Sequence, residues 1–448
     1  MPVENRDDAV KLRVEPAVMM LLLGALAFRL IFLVGVLGLD APLKGDEINY
    51  QQHAADLAAG KGMIRSDGQP SASRPPLLPL VLGGLYRLVG VNVVAGRIFE
   101  VVLGVAIVGL TYMLARTLFS ERIALVAGAL AAVNPYLIFI SSYLLTENLY
   151  TVLMLALLLV LEMAGRNGFA GFRGPVIAGL LLGLANLARP NAVVLAFVIA
   201  LCVLLFGSGD LLRRTRGVAV FLLALAVVIA PWALRNHAKL GAWVVFTTHG
   251  GITFYQSNNQ LVHDVPGFHG GVAPRESLPG WDKLKDAGEI EGDRAAWAMA
   301  KSFLKDNPRL VPRLLAYKFL RFWRLESHAP SSGVKSGWWW NKSKLLGSLA
   351  SRLDVGIIYS IIVIPSFILG VVVTIREYRK LFALYGVILV HVLVAMMFYG
   401  SLRARVPIEP LIAVFAAAAL VAFFGHVRGR AGRGIGVRSV PDRGRASQ

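Results

Sequence analysis

The segment GDEINYQQHAADLAAGKG sets two adjacent carboxylates, Asp46 and Glu47, directly after a long apolar stretch. Read as a helix, it aligns Asp46, Tyr50, His53 and Leu57 on one face through i, i+4, i+7, i+11 spacing. Acids in a first helical turn are favoured by the helix dipole, so a simple N-terminal role for the acid pair, with Gly45 or Asp46 as cap, competes with a catalytic one. The apolar neighbours favour chemistry, because a partly desolvated carboxylate gains basicity and can take a proton from a hydroxyl. A second acid, Glu147 in SSYLLTENLY, also has apolar surroundings. An ionisable group at membrane depth costs about 2.5 to 3.5 kcal/mol on insertion scales and usually faces a cavity or a partner. Snorkelling is the structural alternative for Glu147.

Cations recur on the same side of the pattern. Arg74 precedes Pro75-Pro76, Arg97 opens an apolar run, Arg189 lies in LARPN, Arg235 follows PWAL, and Arg403 and Arg405 lie in GSLRARVPIEP. Guanidinium forks bind phosphate oxygens bidentately, so the set points to an anionic ligand. Snorkelling at a helix end is the expectation for Arg97 and Arg403. Arg74, Arg189, Arg235 and Arg405 are the expected phosphate ligands, with Tyr50 and His53 lining the same site. Asp46, Glu47 and His53 could also offer ligands to a divalent cation, but no His/Cys spacing of a dedicated site occurs, and no metal or other cofactor is expected to be required.

The elements that must position these groups are membrane spans. Of 448 residues, 56% are hydrophobic and 16% charged, which excludes an ordinary soluble domain. The net charge of +19 comes largely from short arginine clusters between apolar runs, a topology signal that argues against nucleic acid as a partner. The single cysteine excludes an intramolecular disulfide and a thiolate metal cluster. Apolar runs of spanning length or near it fall at 15–38, 97–118, 122–140, 148–165, 174–188, 191–207, 216–234, 355–374, 380–400 and 406–425, about ten spans in all. The first reads as an uncleaved anchor with a cytoplasmic N-terminus. If Pro75 to Gly90 does not cross, Arg122, Arg166 with Arg173, Arg213 with Arg214 and Arg216, Arg376 with Arg379 and Lys380, and the tail from Arg428 all face the cytoplasm, as the positive-inside bias requires. That segment therefore reads as re-entrant or interfacial.

The resulting division is a cytoplasmic tail (1–14), a transmembrane catalytic module (15–234) with its first outer loop at 39–96, an extracytoplasmic loop domain (235–350), C-terminal spans (351–425) and a basic cytoplasmic tail (426–448). Within the outer segment, a helix over 293–323 is expected to lie on the membrane surface. Trp338, Trp339 and Trp340 read as an interfacial anchor. No internal repeat is visible.

In order along the chain, GDEINY, SRPPLLPLVLGGLYRL, SSYLLTENLY, LARPN, PWALRNHAKLGAWVVFTTHGGITFYQSNN and RARVPIEPLI resemble the bacterial C-type glycosyltransferases of the protein-mannosyltransferase-like superfamily. That superfamily includes the lipid A aminoarabinose transferases and is similar to glycosyltransferase family 39. The resemblance covers roughly residues 15 to 425 and is weakest from Leu261 to Ser351. It implies an all-α, polytopic GT-C-type helical bundle in the bacterial plasma (inner) membrane. It also implies an enzyme that takes a hexosyl or pentosyl group from a polyprenyl-phosphate donor at the extracytoplasmic face. Asp46 occupies the position of the family's first-loop acid, with Glu47 adjacent. Glu147 matches a second acid motif, Arg189-Pro190 the turn motif, and Asn258-Asn259 the loop after PWALRN. The chain is shorter than the aminoarabinose transferases and shows no counterpart of their large C-terminal periplasmic domain.

The expected reaction is inverting transfer, with Asp46 as general base, Glu147 orienting acceptor or sugar, and the guanidiniums stabilising the departing phosphate. The partners are then the lipid-linked donor, membrane lipids, and an acceptor that is a glycan, a lipid or a protein. The alternative is a polytopic transporter or lipid flippase. Many secondary transporters carry internal repeats and midplane charges, whereas here the charges gather at one face.

Overall fold

The structure, a computed structural model, describes residues 15–163, 171–207, 209–323 and 355–427. The expected tryptophan anchor at Trp338 to Trp340, Arg166, both termini and their basic tail lie outside the described residues. Helix α1 (Pro16–Leu30) opens on proline, which tolerates a first helical position because its missing N–H would go unpaired there. It continues as a π-helical segment, Ile31–Leu37, ending at Gly38. Three helices of the first outer loop and its exit follow: α2 (Asp46–Ala58), α3 (Leu77–Val89) and α4 (Val93–Leu118). The 13 residues of α3 reach about 20 Å at 1.5 Å per residue, short of the roughly 30 Å apolar core of a bilayer. It packs along α2 instead.

The bundle continues through α5 (Glu121–Val133), α6 (Pro135–Ile140), α7 (Thr146–Met163), α8 (Arg173–Ala188), α9 (Val193–Phe206) and α10 (Leu211–Leu240). The single span expected at 122–140 is two helices. Asn134 breaks it, turning its carboxamide oxygen onto the amides of Tyr136 and Leu137, and Pro135 starts the new helix. After the outer segment come α11 (Gly250–Ser257), α12 (Gln260–Asp264), α13 (Trp281–Asp286), α14 (Glu289–Asp306) and α15 (Val311–Trp323). The helix expected over 293–323 is likewise divided, at Asn307-Pro308, where the proline excludes the helical conformation from the residue before it. The chain ends with α16 (Val355–Thr374), α17 (Tyr378–Met397), the one-turn α18 (Leu402–Arg405) and α19 (Glu409–Val427).

Five stretches of the described residues are long and apolar enough to cross a membrane: Pro16–Leu37, Val93–Leu118, Leu211–Leu240, Ile358–Met397 and Leu402–Gly425. Shorter apolar helices, α8 and α9 among them, complete the bundle. Packing pairs α4 with α5 and α7, α7 with α8, α8 with α10, and α19 with α5 and α16. No hydrophobic force drives helices together inside lipid, so close backbone approach must do so. At Gly179 and Gly183 of α8 an added Cβ would stand 2.3 Å from the Phe221 carbonyl oxygen and 2.7 Å from Val228 on α10. Large apolar side chains such as Phe197, Leu212, Leu223 and Ile361 point outward, as a lipid-facing belt requires. The outer segment has a core of its own around Phe254, Tyr255, Val262, Ala296, Ala300 and Leu314.

This connectivity fixes which ends meet. The N-terminal ends of α2, α7 and α18, the C-terminal end of α8 and the loop before α3 lie together, and they carry Asp46, Glu147, Arg403, Arg189 and Arg74.

Candidate active site

Asp46 is the first residue of α2, after Gly45 at φ 55°, ψ −121°. That conformation is essentially restricted to glycine, and it turns the chain sharply from the loop into the helix. One carboxylate oxygen of Asp46 receives Arg74 at 2.7 Å and the other receives Arg403 Nη1 at 2.5 Å. Arg403 also donates from Nε to Glu147 Oε1 and from Nη2 to Glu147 Oε2 at 3.4 Å. Arg189, at the C-terminal end of α8, reaches the same Glu147 Oε1 at 2.6 Å. One guanidinium thus bridges two carboxylates, and each carboxylate keeps a second guanidinium of its own.

Burial raises the Asp46 carboxyl, but the Arg403 and Arg74 charges outweigh it and hold the group well below the ordinary carboxylate range. Asp46 is consequently ionised at neutral pH. Glu147 is fully buried in the first turn of α7, where the helix dipole adds to its stabilisation. Arg74 lies over the ring of Tyr50, its guanidinium carbon 5.8 Å from the centroid, so the buried tyrosine forms a cation–π floor. His53 is buried one turn further along. Desolvation, then the Arg74 charge, lowers its imidazole below the usual value, so it is neutral at physiological pH.

Glu47 turns away from this group. Its two oxygens accept the backbone amides of Leu144 at 3.1 Å and Lys44 at 3.2 Å, tying the start of α2 to the segment that precedes Glu147. Arg235 likewise serves the scaffold: it donates to the carbonyls of Ser71 and Met63, each at 2.8 Å, and lies over Trp232. Glu289 holds the same loop by accepting Ser71 Oγ at 2.8 Å and the Ala72 amide at 2.7 Å. Together they fix the loop that delivers Arg74. Arg97 clamps the α1–α2 loop through the carbonyls of Leu39 at 2.6 Å and Ala41 at 2.7 Å.

The two arginines of RAR have exchanged their expected parts. Arg405 is fully buried, paired with Glu409 at 2.6 Å and lying over Tyr136 and Trp323, while Arg403, expected to snorkel, is the bridge. Neighbours two apart on a helix point about 200° apart, so only one of them can face the site. An available signal was Glu409, four residues after Arg405 and therefore its natural partner. Asn258 and Asn259 are engaged internally: Asn258 receives Lys318 Nζ at 2.7 Å, and Asn259 caps α12 by accepting the Val262 amide at 3.2 Å.

Two groups come from the outer segment: His249, inside the stretch PWALRNHAKLGAWVVFTTHGGITFYQSNN but not singled out there, and Arg275, outside every motif. Arg275 Nη2 donates to Nε2 of His249 at 2.7 Å, and both exert charge on Asp46 and Arg74 or feel it from them. Burial, then Arg74 and Arg275, lowers His249 to about 3, so the imidazole is the neutral acceptor this contact needs. The site therefore sets four guanidiniums, Arg74, Arg189, Arg275 and Arg403, against the carboxylates of Asp46 and Glu147, an excess of two positive charges. Among the described residues no group of three or more His, Cys, Asp and Glu side chains is arranged to hold a metal ion.

Residues 73–234 match the dolichyl-phosphate-mannose-protein mannosyltransferase family. No curated protein matches the chain. The archaeal oligosaccharyltransferase AglB from Archaeoglobus fulgidus, in complex with an inhibitory peptide and a dolichol-phosphate, is similar at a TM-score of 0.53 and 15% identity, over 94% of this chain and 52% of that one. An Archaeoglobus fulgidus oligosaccharyltransferase tethered with an acceptor peptide gives 0.55 at 15% identity, over 92% and 50%. ArnT from Cupriavidus metallidurans bound to undecaprenyl phosphate gives 0.47 at 16%, over 92% and 80%. The chain spans about half the length of the archaeal enzyme. At such identities the likeness is one of fold: the chain has the GT-C-type helical architecture of these enzymes, and its residues 73–234 match one of their families.

Proposed function

We propose that this protein moves a sugar from a polyprenyl-phosphate donor to an acceptor hydroxyl at the extracytoplasmic face of a bacterial plasma membrane. The observation that carries this reading is the Arg403 bridge between Asp46 and Glu147, flanked by Arg74, Arg189 and Arg275. A carboxylate able to take a proton stands beside guanidiniums able to hold a phosphate, and both are fixed by separate helices. The dolichol-phosphate in the archaeal structure supports the lipid class. The side is supported by the chain's connectivity, which sends Arg122, Arg173, Arg213 and Arg376 to the opposite end from the site, where the positive-inside bias puts the cytoplasm.

In the resting site Asp46 is a weak base, because two guanidiniums stabilise its charge. A donor phosphate competes for those guanidiniums, and each one it draws off returns basicity to Asp46. The acceptor oxygen then attacks the anomeric carbon from the face opposite the phosphate, inverting it, as its proton passes to Asp46. The bond from the anomeric carbon to the phosphate oxygen breaks, and its electron pair leaves with the polyprenyl phosphate. A phosphate monoester carries about −1.5 to −2 at neutral pH, which the excess positive charge of the site matches. Glu147 keeps Arg189 and Arg403 aimed. No metal is required in this scheme, since the Arg403 guanidinium lies between the carboxylates that a divalent cation would need.

The test is mass spectrometry of lipid that copurifies from native membranes, followed by incubation with acceptor fractions. A glycosyl polyprenyl phosphate that disappears as free polyprenyl phosphate and a glycosylated product emerge is the expected result. Accumulation of lipid or solute in vesicles without bond cleavage would replace this reading by transport.

A further inference from the structure

Arg403 has to be held in one place to bridge two carboxylates, yet it sits in the first turn, α18, of the helical stretch Leu402–Gly425, directly after the loop Phe398 to Ser401. The first turn of a helix frays and its leading amides have no intrahelical partners, so contacts from outside fix it. The side chain that does so is Lys318 of α15, which is 1% exposed. Its ammonium donates to Asn258 Oδ1 at 2.7 Å and to the carbonyl of Met397, the last residue of α17, at 3.1 Å. Asn258 Nδ2 donates to that same carbonyl at 3.3 Å. Burial lowers the Lys318 amine to about 7, and its N–H groups can donate to these oxygens in either protonation state.

The next residues are held between the loop at Gly270 and the same helix. Gly400 donates its amide to the Gly270 carbonyl at 2.8 Å, and a Cβ on Gly400 would stand only 2.0 Å from the Lys318 carbonyl oxygen. Beyond the turn, Arg405 Nη1 donates to the carbonyls of Phe322 at 3.4 Å and Trp323 at 3.3 Å, at the far end of α15. Helix α15 therefore touches the chain on both sides of Arg403.

We infer that α15 is a splint for the bridging arginine and that Lys318, with Asn258 as its partner, is a positioning residue for the phosphate-holding site. Lys318 makes no contact with the carboxylates of that site and acts through Arg403. This gives the outer segment a further part in the site, exercised through Arg403, and it gives Asn258 a role that does not involve touching substrate.

The inference rests on the proposed phosphate-binding function for one of its two readouts. Lys318→Met removes the pin, and Gly400→Ala forces the loop off the α15 backbone while leaving the Lys318 side chain unchanged. Hydrogen exchange over residues 398–405 and binding of undecaprenyl phosphate to detergent-purified full-length protein are measured for both variants, alone and with Arg403→Lys. Faster exchange at 398–405, and binding weakened about tenfold in the single variants but not further in the Arg403→Lys background, are expected, since residues acting as one unit are not additive. If Lys318→Met does not fold, Gly400→Ala decides. Unchanged exchange over 398–405 in a folded variant overturns the inference whether or not the lipid binds. So does an equal loss of binding with and without the Arg403 substitution. Failure of the wild-type protein to bind the lipid counts against the proposed function instead, and leaves the exchange result to judge the splint.

Discussion

Replacing Arg403 by methionine removes the bridge and keeps a side chain of comparable reach. The lost contacts are one to Asp46 at 2.5 Å and two to Glu147, and a hydrogen bond to a charged group contributes about 1.5 to 3 kcal/mol. The net loss is smaller than three such terms, because Arg74 at 2.7 Å and Arg189 at 2.6 Å keep both carboxylates paired. Methionine also avoids the cost of desolvating a guanidinium. The expected destabilisation is about 2 to 4 kcal/mol, seen as a fall in Tm on the order of 5 °C for detergent-solubilised protein followed by tryptophan fluorescence. A pH series gives a second check. Asp46 is depressed in the folded wild type, so its contribution to stability is present above the unfolded carboxylate value near about 3.9 and is lost only as pH falls through the lower folded value. Without Arg403 burial is opposed by fewer charges, so acid destabilisation begins at a higher pH. A variant with the wild-type melt and an unshifted acid limb would refute the bridging geometry.

Other substitutions separate scaffold from chemistry. Glu47→Gln keeps one acceptor oxygen for two backbone amides, so a loss of about 1 to 2 kcal/mol in thermal stability is expected, with turnover changed less than threefold in a transfer assay. Arg405→Met strands the fully buried Glu409 carboxylate and should cost about 3 to 5 kcal/mol, whereas Arg405→Met with Glu409→Met is expected to recover part of that in the same melt. Gly45→Ala forces a side chain into the conformation at φ 55°, ψ −121°, with an expected penalty of about 1 to 3 kcal/mol in stability and a larger proportional loss of transfer, because Asp46 follows directly.

The sequence shows why part of this site could be anticipated. Asp46 and Glu147 stand out as acids in apolar surroundings, and Arg74 and Arg189 as cations on the face that the positive-inside bias depletes. Those four side chains meet through ion pairs in the structure. Arg403 was harder to separate from Arg405, since the choice depends on the rotation of a one-turn helix, although Glu409 four residues later marks the arginine that is already spoken for. Arg235, Asn258 and Asn259 lie in conspicuous motifs, yet their polar atoms serve backbone carbonyls, a helix cap and Lys318, contacts that depend on how loops fold back. Arg275, His249 and Lys318 belong to the outer segment; His249 lies in a quoted motif whose asparagines drew attention instead, and Arg275 and Lys318 come into play through packing rather than any local pattern. The same holds for the divided helices: Asn134-Pro135 and Asn307-Pro308 carried the breaking chemistry in plain view, but hydropathy averaged over a window runs straight through them.

The most direct test compares Asp46→Asn with wild type for release of free polyprenyl phosphate and for affinity toward that lipid. The asparagine removes the proton acceptor and frees Arg74 and Arg403 from a competing negative charge. Transfer should fall by about 10² to 10⁴, the usual contribution of a general base, while the lipid binds as tightly as before or more tightly. Full turnover in the folded variant would contradict the assignment of Asp46 as the base.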